Sequence, residues 1–163
     1  MGHKDFRVAV ITISDTGSSG EREDVSGPTA TKILTEAGMF VERTEIIPDE
    51  REQISTLMIE LSDLADFDLV VTTGGTGFAP RDVTPEATAD VIDRRADGLS
   101  ELMRLESLKV TPTAALSRGI CGIRGQTLIV NLPGSPKAVE ENLRAVLKVL
   151  DHGLILLKGG KLH

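Results

Sequence analysis

Residues 68–86 constrain this chain more than any other stretch. Leu69, Val70 and Val71 form a short continuous apolar run, as in a strand buried on both faces, and the glycines Gly74, Gly75 and Gly77 follow closely. Without a Cβ, glycine reaches backbone angles closed to other residues, so the chain can turn sharply there and a ligand can come close. The glycine amides can face an anion, with the hydroxyls of Thr72, Thr73 and Thr76 beside them, and phosphate is the natural guest. Thr84-Pro85-Glu86 then supplies an N-cap, a proline at the first helical position and an early acid, which is how helices begin. Taken alone, the glycines are equally compatible with a plain tight turn, and Asp82 with compensation of the helix dipole. Arg81 and Asp82 side by side favour chemistry.

In chain order, residues 6–13 make an apolar, β-branched run typical of a central strand that should lie beside residues 69–71. Residues 14–20 read as a polar loop at the carboxyl end of that strand, where open α/β sheets bind ligands; Asp15 either faces a site or closes an Asx turn. Ser26-Gly27-Pro28 starts a helix that Gly38 ends. Residues 40–47 alternate imperfectly, as in an outer strand, and Pro48 ends it. Asp49 with Glu52 matches a capping box for a helix whose buried face is Ile54, Leu57, Met58, Leu61 and Leu64. Beyond the central stretch, residues 87–92 and 99–109 should be helical with Asp97-Gly98 between them. Residues 119–123 and 127–132 flank Arg124-Gly125-Gln126 as an antiparallel hairpin, which would make the sheet mixed. Ser135 caps a last helix opened by Pro136, and residues 154–157 are a short apolar run expected to pack on the core or on a partner subunit. Repeated strand-turn-helix units place the polar turns 14–28, 48–50, 72–84 and 131–137 on one edge, the expected site.

Composition excludes several functions. With 163 residues and 40% apolar content the chain is expected to form one domain, residues 1–163. Eighteen Lys and Arg stand against 25 Asp and Glu, no basic run occurs, and there is no Trp or Tyr to stack bases, so nucleic acid is not an expected partner. Cys121, the one cysteine, reads as a small buried hydrophobe. His3 and His163 lie near the ends and His152 near the end of a helical segment, and none reads as a ligand. With no signal-peptide core and no stretch long enough to cross a bilayer, a cytoplasmic enzyme is the expectation. Neither the phosphate loop ending in Gly-Lys-Ser/Thr nor the dinucleotide glycine fingerprint is present. Asp15, Asp24, Asp49 and Asp82 are hard oxygen donors without a histidine or cysteine cluster, which points to magnesium and phosphate chemistry.

At these residues the chain resembles the bacterial MogA/MoaB family, the molybdopterin adenylyltransferases, which are related to the gephyrin G domain. The matched stretches are Ser14-Asp15, Asp24 with Ser26-Gly27-Pro28, Pro48-Asp49, Thr72-Thr73-Gly74-Gly75-Thr76-Gly77 continuing from Pro80 to Ala87, and Leu132-Pro133-Gly134-Ser135-Pro136-Lys137. The resemblance covers nearly the whole length. Molybdenum-insertion relatives typically carry Val-Ser where this chain has Thr76-Gly77, which favours the adenylylating branch. The resemblance implies a three-layer α/β sandwich around a mostly parallel, mixed sheet, usually assembled as a homotrimer. It implies transfer of adenylate from ATP to molybdopterin, with magnesium at the phosphates and a possible handover to a molybdenum-insertion enzyme. By the same resemblance Asp49 and Asp82 are the essential acids and Asp82 the magnesium residue. Thr73, Gly74, Gly75, Thr76 and Gly77 would hold the nucleotide phosphates, Pro133, Gly134 and Ser135 would close the adenosine side, and Ser14, Asp15, Asp24 and Ser26 would face the pterin. Asp49 can then cap a helix and present its second oxygen to a ligand. The competing reading is a MoaB-type protein that carries molybdopterin without adenylylating it.

Overall fold

Strand β1 (Arg7–Ile13) is buried on both faces, as its apolar sequence requires: Val8 and Val10 pack into one core, Ala9, Ile11 and Ile13 into another. The computed structural model describes residues 6–160, so His3 and His163 lie outside the described residues. Around β1 the chain builds α1 (Asp15–Ser19), α2 (Ser26–Glu36), β2 (Phe40–Ile47), α3 (Arg51–Ile59), β3 (Leu69–Thr73), α4 (Thr84–Ala89), β4 (Arg94–Arg95), α5 (Asp97–Leu108), β5 (Cys121–Arg124), β6 (Thr127–Leu132) and α6 (Pro136–Leu157). A π-helical turn, Glu60–Leu64, extends α3, and a 3-10 turn, Pro112–Leu116, follows α5.

The six strands form one sheet in the order β2-β1-β3-β6-β5-β4. β2, β1, β3 and β6 run parallel, β5 is antiparallel to β6, and β4 is antiparallel to β5, so the sheet is mixed as the hairpin required. Helices cover both faces. Ala30 and Leu34 of α2, Met103 of α5, and Leu143 and Leu150 of α6 pack on one side; Ile54 and Met58 of α3 and Ala87 of α4 pack on the other. This is the expected three-layer sandwich.

Several local expectations fail where a side chain found a better partner or the backbone changed its pitch. Residues 15–19 are not loop but the short helix α1, because the Ser14 hydroxyl accepts the Gly17 N–H and Gly20, at φ 81°, ends the turn. Asp49 does not cap α3: Glu50 occupies that position with no side-chain cap bond, and the Asp49 carboxylate goes elsewhere. Leu64 is exposed rather than buried, since the wider π-helical turn carries it off the apolar stripe of α3. Thr84 is the first helical residue of α4 rather than its cap, and its hydroxyl reaches back to the glycine turn. The two-residue strand β4 was not anticipated, and Asp97-Gly98 opens α5 instead of preceding it. Residues 154–157 continue α6, with Leu154 buried and Leu156 53% exposed. Cys121 is fully buried on the sheet, and burial pushes its thiol up to about 11, as befits an inert small hydrophobe. Among the described residues no helix is long and apolar enough to cross a membrane.

Candidate active site

The four parallel strands end on one edge, so the turns after β1, β2, β3 and β6 converge there. The turn after β3 requires glycine. Gly74 and Gly75 have φ of +99° and +70°, and a Cβ on Gly74 would lie 2.3 Å from the Ile13 carbonyl oxygen. Its carbonyls are taken by two residues, Thr84 and Arg118. Gly74 O accepts the Thr84 hydroxyl at 3.0 Å, Gly75 O the Thr84 N–H at 3.1 Å, Thr76 O the Arg118 N–H at 2.7 Å and Gly77 O the Arg118 Nε at 2.8 Å. No peptide bond is cis, so each following N–H points opposite to the carbonyl of its own peptide. The N–H groups of Gly75, Thr76, Gly77 and Phe78 meet no acceptor among the described residues. Four successive free donors on a glycine turn make an anion cradle.

Two clefts meet at this turn. One, of about 400 Å³, runs from Gly75, Thr76 and Gly77 past Pro133 to α5 and α6; the other, of about 410 Å³, contains Ser14, Asp24, Ser26, Asp49 and Thr73. Gly75, Asp82, Gly134 and Ser135 line both. The 133–135 turn is laced to the sheet side, since Thr73 Oγ1 donates to Pro133 O at 2.7 Å and Ser26 Oγ donates to Gly134 O. Ser135 caps α6 through the Ala138 N–H, as expected. Asp24 accepts from Thr12 Oγ1 at 2.7 Å and from the Gly27 N–H at 3.1 Å, which orders the entry to α2.

The acids are arranged unequally. Asp49 and Asp15 exchange backbone bonds: the Asp15 N–H donates to Asp49 Oδ2 at 2.8 Å, and the Asp49 N–H to Asp15 Oδ1 at 3.0 Å. Burial raises the Asp49 carboxyl above the ordinary aspartate range, and the nearby charges of Asp15 and Asp82 push the same way. Asp15 is held below that range by Arg81, which grips it with Nε and Nη2 at 3.0 Å each and adds Glu50 at 2.9 Å. Asp82 accepts the Ala79 N–H at 3.0 Å and lines both clefts. Asp15 is thus outside both clefts, and of its neighbours it supports Asp49 and Arg81 rather than the cavity. Among the described residues no group of three or more His, Cys, Asp or Glu could hold a metal by itself. Asp49 and Asp82 on one cleft nevertheless fit magnesium shared with phosphate oxygens, since that ion commonly takes one or two carboxylates and completes its shell with substrate.

A family model described as "Probable molybdopterin binding domain" matches residues 9–152. The chain belongs to this molybdopterin-binding family. It is 45% identical over 156 residues to the molybdopterin adenylyltransferase of Helicobacter pylori strain J99, covering 94% of this chain and 89% of that protein. It is 46% identical over 155 residues to the molybdopterin adenylyltransferase of Escherichia coli K12, covering 91% and 80%. A crystal structure of the molybdopterin biosynthesis enzyme MoaB from Thermus thermophilus superposes with a TM-score of 0.90 at 50% identity, over 94% of this chain and 97% of that one. The residues behind and beside the glycine turn carry no local signal in the sequence. Arg118 follows a 3-10 turn with no motif around it, and Arg104, Ser107 and Asn142 of the first cleft sit on helices where their spacing resembles ordinary solvated or core polar positions.

Proposed function

We propose that this protein transfers the adenylyl group of ATP to molybdopterin and releases pyrophosphate. One observation carries the reading: two clefts of similar size share a floor of Gly75, Asp82, Gly134 and Ser135, beside four free backbone donors. A reaction that joins two bulky phosphorylated molecules needs that layout. The relatives named molybdopterin adenylyltransferase support the choice of substrates. The pterin would occupy the cleft of Ser14, Asp24 and Ser26, with Asp15 behind it, and the nucleotide the cleft of Gly75, Thr76, Gly77 and Pro133.

In this reading a phosphate oxygen of molybdopterin attacks the α-phosphorus of ATP, a new P–O–P bond forms, and the bond to pyrophosphate breaks. The N–H groups of Gly75, Thr76, Gly77 and Phe78 hold the phosphates and offset charge as it grows on the leaving group. The Gly134 turn, fixed by Ser26 and Thr73, orients the two substrates toward each other. Magnesium, when held by Asp82 with Asp49 as second carboxylate, supplies neutralisation of the phosphate charge. No covalent enzyme intermediate is needed. We further propose a homotrimer, cytoplasmic location and handover of product to a molybdenum-insertion enzyme. Exposed Phe40 and Ile46 on the edge strand β2 and Leu156 on α6 offer apolar surface for assembly. A monomeric mass by light scattering at micromolar concentration would remove the trimer.

The deciding experiment mixes purified protein with ATP, magnesium and molybdopterin and measures pyrophosphate. Stoichiometric release with formation of adenylylated pterin is expected. Binding of pterin without release would instead favour the carrier reading.

A further inference from the structure

One residue remote in sequence holds the glycine turn from behind. Arg118, between the 3-10 turn and β5, donates its backbone N–H to Thr76 O at 2.7 Å, Nε to Gly77 O at 2.8 Å and Nη2 to Asp82 O at 2.8 Å. Glu86 of α4 holds the same guanidinium, with Nη1 to Oε2 at 2.6 Å and Nη2 to Oε1 at 3.3 Å. The pairing lowers the Glu86 carboxyl below its ordinary range. The two side chains are 35% and 38% exposed, and an ion pair so placed adds little to stability by itself. Its geometry does something else. One planar fork reaches both ends of the loop 77–82, which a flexible ammonium cannot do.

Because these peptides are trans, drawing the Thr76 and Gly77 carbonyls toward Arg118 turns the Gly77 and Phe78 N–H groups the other way. Drawing in Asp82 O places the backbone from which the Asp82 carboxylate reaches both clefts. We propose that Arg118, oriented by Glu86, is a positioning residue that sets the direction of the Gly77 and Phe78 amides of the phosphate cradle and the placement of Asp82. Its effect on turnover rests on the adenylyl-transfer reading; its effect on phosphate binding does not.

The test uses the full chain, with Arg118→Gln, Arg118→Lys and Glu86→Gln. Inorganic tripolyphosphate is titrated in the presence of magnesium while the amide resonances of Gly75, Thr76, Gly77 and Phe78 are followed, and kcat, KM and melting temperature are measured on the same preparations. In the wild type those amides should shift with saturation. Arg118→Gln keeps the backbone N–H on Thr76 O but loses the guanidinium bonds to Gly77 O and Asp82 O, so it should weaken tripolyphosphate about tenfold, lose the shift of Phe78, and lower kcat roughly a hundredfold, the usual cost of a misplaced group. Arg118→Lys should recover only part. Wild-type affinity, shifts and kcat in folded Arg118→Gln would overturn the proposal. If that variant does not fold, Glu86→Gln keeps the guanidinium and removes its holder, and it should lose severalfold in the same three measurements; wild-type values there overturn the proposal too. Wild-type protein that binds tripolyphosphate yet releases no pyrophosphate would defeat the adenylyl-transfer reading alone, with Arg118 then judged on affinity and amide shifts. Wild-type protein that binds no tripolyphosphate would defeat the positioning role.

Discussion

The two clefts share a floor and differ in their far walls. One is walled by strand-end turns and is lined by the carboxylates Glu23, Asp24, Asp49 and Asp82, with Arg22 as its one basic lining residue. The other is walled by α5, the 3-10 turn and α6, rich in hydroxyl and amide groups, with Arg104 as its one basic lining residue. The first wall is a product of topology, since parallel strands must deliver their turns to one edge. The second is a product of packing: the β5–β6 hairpin reverses the chain so that α5 and α6 lie together on one face, where Asn142 Nδ2 donates to Ser107 Oγ at 2.8 Å. A turn-built wall places charge close to the backbone cradle, whereas a helix-built wall offers a broader face for recognising a ring system.

The largest effect is expected at the floor that the two clefts share. Asp82→Asn keeps the size of the side chain and an oxygen for the Ala79 N–H, so the fold should survive, but it removes a charge common to both clefts. Pyrophosphate release should fall about a hundredfold to a thousandfold, or about 2.7–4 kcal/mol, with melting temperature nearly unchanged. Near wild-type turnover would show that the floor is only structural.

A crossed pair sharpens the assignment of walls. Arg22→Ala empties the acidic cleft of its one basic lining residue and should raise the KM for molybdopterin roughly tenfold, the scale of one lost charged hydrogen bond, while leaving that for ATP alone. Glu141→Gln alters the helical wall and should move the KM for ATP severalfold with molybdopterin unaffected. Steady-state kinetics with each substrate varied in turn checks this, and reversed selectivity would exchange the two clefts.

A smaller effect concerns stability against pH. Asp49 has its carboxyl raised, chiefly by burial, so the folded protein binds that proton more tightly than the unfolded chain. Its stabilising contribution is therefore full below the ordinary aspartate value and is lost as pH rises through the raised one. Asp49→Asn, which can still accept the Asp15 N–H, should remove that decline and melt at neutral pH no lower than wild type, and up to a few degrees higher, while losing activity. Thermal melts from mildly acidic to neutral pH would show a persistent decline in the variant if another group is responsible.

The smallest expected effect is at Arg81, whose fork on Asp15 and Glu50 lies in solvent. Arg81→Ala should shift the melting temperature little, and less still at high salt. Asp15 is lowered by Arg81, so the pair's contribution is present above the ordinary aspartate value and disappears as pH falls through the lowered one. A large, salt-independent loss would mean that Arg81 braces the site.

Local structure and chain direction were legible in the amino-acid sequence. Apolar runs such as 6–13 and 69–71 called for burial on two faces, the hairpin around 124–126 for a mixed sheet, and glycine at 74 and 75 for the turn, and all three stand in the fold. Parallel strands then put Asp49, Asp82 and the 133–135 turn on one edge. The capping roles of Asp49 and Thr84 were misjudged because a carboxylate or hydroxyl chooses among all donors and acceptors in reach, and the better partners, Asp15 N and Gly74 O, are 34 and 10 residues away. Arg118, 41 residues beyond Gly77, carries no local pattern at all. Tertiary structure alone decided these partners, because periodicity reports which face a residue occupies, whereas a side-chain hydrogen bond is satisfied by whatever the packed chain brings within reach.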